Sequence, residues 1–178
     1  MIAAACGLRK GELQGLRRHY VRETTLADSR AAAVLVVVAS WERSGRLKGT
    51  KSGRARLVPV PPVVYLELRA AMRASPWNDP SHYLFYGIDA ERPMSHKKID
   101  KDFARALAAA GIDEPRRLER ALSFHSWRHW ANSVLVNRGI PPLRAQQVIG
   151  HASLKMPASY LHTGEDFSDV LAITDGIF

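Results

Sequence analysis

Ser126-Trp127-Arg128-His129-Trp130-Ala131-Asn132-Ser133-Val134-Leu135-Val136-Asn137 is read first, because its periodicity sets the class of the whole chain. Trp127, Trp130, Ala131, Val134 and Leu135 fall at i, i+3, i+4, i+7 and i+8, which predicts one apolar stripe along an α-helix. Arg128 lies beside that stripe. At about 100° per residue, His125 and Arg128 stand only about 60° apart if the helix extends back to His125. An imidazole and a guanidinium then project from one flank near a helix N-terminus, where anions are attracted and where the forked donors of Arg match a phosphate. A surface arginine beside a capping histidine is the alternative reading.

Beyond this helix, Pro141-Pro142 opens another that closes at Gly150 and leaves His151 in a loop. Tyr160 follows nine residues later, ahead of Leu161-His162, and a short last helix surrounds Val170. On the other side, the basic connection Pro115-Arg116-Arg117 leads back to a helix capped by Ser95. That helix repeats Ile99, Phe103, Ala106, Leu107 and Ala110 at helical spacing and stops at Gly111. A helix starting at Pro61-Pro62 carries Val63, Leu66 and Ala70 on one stripe. Further back lie three strand patterns: Tyr20 to Thr24, the β-branched Val34-Leu35-Val36-Val37-Val38, and the alternating Arg54 to Val60. Turns at Ser44-Gly45 and Ser52-Gly53 separate them. Lys10 to Leu16 reads as a short helix. Met1 to Gly7 reads as the end of one, so a chain shortened at its N-terminus is expected. The expected class is α+β: mostly helical, with one small three-stranded antiparallel sheet near the N-terminus.

A chain of 178 residues suits a single domain with a real core. Lys and Arg number 26 against 17 Asp and Glu, a formal net charge of +9. That surplus favours a polyanionic partner, since basic groups at phosphates release condensed counterions. The single cysteine, Cys6, rules out an intrachain disulfide and a multi-cysteine zinc site. Its apolar neighbours predict a buried, inert thiol. No stretch reaches the roughly 20 apolar residues of a membrane span, and the N-terminus lacks the order of a secretion signal; a cytoplasmic protein is expected. His125 and His129 have a spacing that suits a metal, but no third ligand stands near and there is no His-Glu-x-x-His pattern. Neither a metal nor a cofactor is expected.

Five pieces occur together in one order: Gly7-Leu8-Arg9-Lys10-Gly11-Glu12-Leu13; Thr50-Lys51-Ser52-Gly53 before Arg56-Leu57-Val58-Pro59; Phe124-His125-Ser126-Trp127-Arg128-His129; Gly150-His151; and Tyr160-Leu161-His162. The set resembles the tyrosine recombinase family, which includes phage integrases and chromosome-dimer resolvases, and it spans the chain from Arg9 to about His162. Two departures stand out. Met156-Pro157 occupies a place where many relatives have two hydroxyl residues, and Trp127 replaces a commoner Leu.

The resemblance implies a catalytic domain over residues 1–178 without an N-terminal clamp domain, and with a tail over 163–178. It implies cutting and rejoining of double-stranded DNA through a 3′-phosphotyrosyl link to Tyr160, with neither metal nor ATP. Arg9 and Arg128 would clamp the non-bridging oxygens, with His125 and His151 donating there or moving the tyrosyl proton. Lys51 would protonate the leaving 5′-oxygen. Lys48 competes with Lys51 for that last role, and Lys51 matches the motif better. Lys48, Arg54, Arg56, Arg116 and Arg117 are candidate contacts to the DNA backbone, although an exposed basic surface explains them equally. Glu12 either supports Arg9 or is a solvated helix residue. The apolar Phe167, Val170, Leu171 and Ile173 either dock on a neighbouring copy, as in a tetramer on DNA, or fold back on their own subunit. These residues alone are expected to bind DNA weakly and to recombine poorly. Two other readings stay open: a DNA-binding remnant that has lost cleavage, and an enzyme like a type IB topoisomerase.

Overall fold

The computed structural model describes residues 1–49, 55–150 and 167–177. The expected sheet is present: β1 (Val21–Thr25), β2 (Ala31–Val37) and β5 (Arg56–Val60) form an antiparallel sheet with β2 in the middle. Its register sets Leu35 opposite Val58 and Val37 opposite Arg56. Ala33, Leu35, Val37, Val58 and Val60 enter the larger core with Cys6, Leu8, Leu16, Val64 and Tyr65. The alternate residues Val34 and Leu57 pack against a second core built around Ala145, Val148, Ile149 and Val170. Burial on both faces explains why β2 is an unbroken apolar run and not an alternating one.

A second, two-stranded ribbon departs from the expectation of a single sheet. β3 (Ala39–Trp41) pairs with β4 (Leu47–Gly49) around the turn at Ser44-Gly45. The extended chain continues past Val37, but its next residues leave the central sheet and lie instead against α2 (Lys10–Gly15).

Around these strands stand α1 (Ile2–Cys6), α3 (Pro62–Ala74), α4 (His96–Ala109), α5 (Glu114–Glu119), α6 (Ser126–Asn137), α7 (Pro142–Ile149) and α8 (Ser168–Asp175). α1 and α3 lie against one face of the sheet, while α7 and α8 reach β5 from the other. Ser95 caps α4 through the backbone N–H of Lys98, as its position predicts. Phe167, Val170 and Leu171 are buried against the residues of α6 and α7 in the same chain. Among the described residues no helix is long and apolar enough to cross a membrane.

Two stripes are rotated from their expected places. α3 buries Val64, Tyr65 and Leu68, while Leu66 is exposed. The sheet packs on the side of α3 that holds Val64, Tyr65 and Leu68, which at about 100° per residue lies nearly opposite the expected line of Val63, Leu66 and Ala70. In α6 the buried residues are Arg128, Ala131 and Leu135, and Trp130 is 38 % exposed. Arg128 turns inward because a backbone carbonyl and a carboxylate await it there, as the site geometry shows.

Candidate active site

Glu12 is the centre of the cluster. Arg9 is the N-cap residue of α2 and Glu12 stands three places into the helix, the spacing of a capping box. Glu12 Oε2 accepts from the Arg9 backbone N–H at 2.9 Å, and Glu12 Oε1 accepts from Arg9 Nη1 at 2.7 Å. From β5, Arg56 Nη2 donates to Glu12 Oε2 at 2.7 Å. From α6, Arg128 Nη1 lies 3.9 Å from the same oxygen. Three guanidiniums from three separate elements thus surround one buried carboxylate, leaving two net positive charges. Burial acts to raise the Glu12 pKa, but Arg56 and Arg9 outweigh it and hold the carboxyl below its ordinary range.

Arg128 is the largest fully buried side chain among the described residues, 1 % exposed. Its Nη1 donates to the Gly7 carbonyl at 2.7 Å, while Nε and Nη2 have no hydrogen-bond partner among the described residues. Gly7 closes α1 in the left-handed region at φ 56, and a Cβ there would meet Ile149 Cδ1 at 2.4 Å. A residue without a side chain is therefore what aims this carbonyl at Arg128. Burial, with repulsion from Arg9 and Arg56, pushes the Arg128 pKa down to about 9. A buried cation with spare donors beside two like charges is a site that favours an anion.

Arg9 is less enclosed, its side chain 40 % exposed, and its Nη2 donates to the Gly150 carbonyl at 2.9 Å. His125 precedes α6 with helical dihedrals, as the 60° estimate required, and its ring lies edge-on to His129 with centroids 4.9 Å apart. Burial, then the charges of His129, Arg128 and Arg9, lower its pKa. The ring is neutral at neutral pH, with one donor and one acceptor nitrogen. His125, Lys10 and Arg117 line a cavity of about 430 Å³.

The structure therefore brings Arg9, Arg128 and His125 into one electrostatic neighbourhood. Lys51, Arg54, His151 and Tyr160 lie outside the described residues. Lys48 stands exposed on β4, 3.4 Å from Glu42. Arg116 donates to the Gly111 carbonyl at 3.2 Å, and Arg117 pairs with Glu114 at 2.5 Å. Arg56, expected at the surface, turns inward with its side chain only 13 % exposed. Glu12 is the supporting residue of the two options, not the solvated one. Both signals were in the sequence. Arg56 has the parity of Val58 and Val60, which face the larger core, and Arg9-x-x-Glu12 is a capping spacing.

The inert thiol is also as expected. Cys6 is 1 % exposed and burial pushes its pKa to about 12.

Comparison with known proteins places the chain in a family. A tyrosine recombinase XerC of Mesorhizobium japonicum is 31 % identical over 124 residues, covering 69 % of this chain and 37 % of that protein. A tyrosine recombinase XerA of Pyrococcus furiosus is 29 % identical over 114 residues, covering 64 % of this chain and 37 % of that protein. The chain thus spans little more than a third of the length of these relatives. The Tn1549 transposon integrase, solved in complex with a circular intermediate DNA, superposes with a TM-score of 0.63 at 21 % identity, over 96 % of this chain and 55 % of that one; this likeness shows the fold. Residues 1–166 match the profile of the phage integrase family, and the chain belongs to that family.

Proposed function

We propose that this chain is the catalytic domain of a site-specific DNA recombinase, which cuts and rejoins strands through a 3′-phosphotyrosyl intermediate. One observation supports the reading above all. Arg9 and Arg128, more than a hundred residues apart in the chain, engage a single carboxylate, and Arg128 keeps two buried N–H donors unpartnered among the described residues. The net charge of plus two matches what a phosphodiester acquires as it becomes pentacoordinate.

On this reading the Tyr160 oxygen forms a bond to phosphorus as the bond to the 5′-oxygen breaks. The phenolic proton passes to His151 or His125, and Lys51 gives a proton to the departing 5′-oxygen. A phenol of ordinary pKa near about 10 is a weak nucleophile, and the cationic cluster favours its ionised form. Arg9 and Arg128 hold the non-bridging oxygens, supplying charge that metal ions provide elsewhere. Bond energy stays in the phosphotyrosine, so a second 5′-hydroxyl reverses the step without ATP. Double-stranded DNA is the partner, a homo-tetramer on DNA the working assembly, and the cytoplasm the place of action. Residues 1–178 act as one catalytic domain, with 163–178 as its tail.

A nicked suicide substrate tests the reading. The expected result is a covalent protein–DNA adduct with wild type and none with Tyr160→Phe. No adduct from wild type leaves the DNA-binding remnant, whereas relaxation of supercoils without synapsis leaves the topoisomerase.

A further inference from the structure

We infer that Arg56 is a positioning residue for strand cleavage, acting through Glu12 on Arg9 and through the end of α7 on the turn before His151; this rests on the recombinase reading above. Arg56 makes two directed contacts. Its Nη2 donates to Glu12 Oε2 at 2.7 Å, and its Nη1 donates to the Val148 carbonyl at 2.6 Å. The first contact shares the oxygen that accepts the Arg9 backbone N–H, so it fixes the carboxylate that holds Arg9. The second seizes a carbonyl in the last turn of α7, where helix carbonyls lack partners.

Gly150 fits this bridge closely. It ends α7 in the left-handed region at φ 78, and a Cβ there would meet Arg56 Cδ and Nε at 2.5 Å. Arg56 therefore fills the space that any other residue at 150 would claim. Arg9 reaches the same turn through the Gly150 carbonyl at 2.9 Å. One guanidinium thus ties together the helix of the first arginine, the sheet, and the turn that leads to His151. Lysine cannot reproduce this, because an ammonium lacks the planar fork that serves two acceptors at once.

The rival role for Arg56 is a contact to the DNA backbone, and the two roles predict different measurements. A phosphate contact sets affinity and the salt slope, whereas a buried positioning residue sets the rate once DNA is bound. The test is single-turnover cleavage of the nicked substrate at saturating DNA by wild type, Arg56→Lys and Arg56→Met, alongside DNA affinity measured across salt concentrations. Urea unfolding of each protein reports folding. The expected result is a cleavage rate lowered about 10- to 100-fold in both variants, with affinity and salt slope close to wild type. A second substrate separates positioning from simple destabilisation. Replacing one non-bridging oxygen at the scissile phosphate by methyl removes the charge that the clamp must meet. The variants then recover much of their deficit relative to wild type, whereas a merely loosened fold is equally slow on both substrates.

Variants that cleave at the wild-type rate overturn the inference. So does a loss of affinity with a shallower salt slope and an unchanged saturated rate, or an equal deficit on both substrates. Absence of any adduct from wild type instead overturns the recombinase reading, and this inference with it.

Discussion

Two ion pairs share one spacing and differ in nearly everything else. Arg9 with Glu12 and Glu114 with Arg117 are both i,i+3 pairs, at 2.7 and 2.5 Å. The Glu12 side chain is 7 % exposed, and Arg56 and Arg128 approach the same carboxylate. The Glu114 side chain is 60 % exposed and its pair stands on the short helix α5. Sequence spacing thus makes a contact available, while burial and shared partners decide its weight. A solvated pair gains little over its hydrated parts, whereas a buried pair cannot be halved without stranding charge in a medium that stabilises charge poorly.

The largest separation between the two is expected from their carboxylates. Glu12→Gln leaves the buried guanidiniums of Arg56 and Arg128, and the half-exposed one of Arg9, without their counter-charge and should cost roughly 3–5 kcal/mol of stability. That is a large share of the roughly 5–15 kcal/mol typical of a domain. Chemical denaturation measures it; a loss under about 1 kcal/mol would erase the contrast with Glu114.

Next comes acid. Both the Glu12 and Glu114 carboxyls titrate below their ordinary 4.5 in the folded chain. The unfolded chain then holds the proton more readily, so the stabilisation is complete above the ordinary value and is lost as pH falls through the depressed one. Denaturation midpoints across this range should drop steeply in wild type. They should drop less steeply in Glu12→Gln, and nearly as in wild type in Glu114→Gln. Equal slopes in the two variants would contradict the comparison.

At the alkaline end the sign reverses for binding. Burial, with the charges of Arg9 and Arg56, lowers the Arg128 pKa toward about 9 in the folded chain, from 12.5 ordinarily. Above that pH the unfolded chain binds more protons, so this group favours folding as pH rises. Phosphate binding needs the charged form and weakens over the same span. DNA affinity titrated from neutral pH to about 10 should fall more in wild type than in Arg128→Met, which has no guanidinium to lose. The smallest expected effect belongs to the surface pair: the denaturation midpoint of Glu114→Gln at neutral pH should be indistinguishable from that of wild type, because water already solvates both partners.

Much of this was legible beforehand because it rests on short-range rules. Pro61-Pro62 and Pro141-Pro142 start helices since proline lacks an N–H that a first turn does not need. Gly7 and Gly150 end α1 and α7 in the left-handed region. The β-branched run in β2 announced a strand between two packed faces. Less legible was which side of a helix faces in. Trp127 and Trp130 outrank Arg128 on any scale of hydrophobicity, yet Arg128 is the buried residue. Its partners, the Gly7 carbonyl and Glu12, are more than a hundred residues away in the chain.

By itself the sequence determined the main helices and the three-stranded sheet, the basic character and the set of residues that announces the family, because each depends on near neighbours or on residue type alone; the β3–β4 ribbon, and α5 where a basic connection was expected, escaped it. Tertiary structure decided that Glu12 is a hub, that Arg56 leaves the surface, and that Arg9 and Arg128 share one carboxylate. Those outcomes depend on distances between segments remote in sequence, and on the low polarity of the interior, which makes a charge choose a partner when water no longer can.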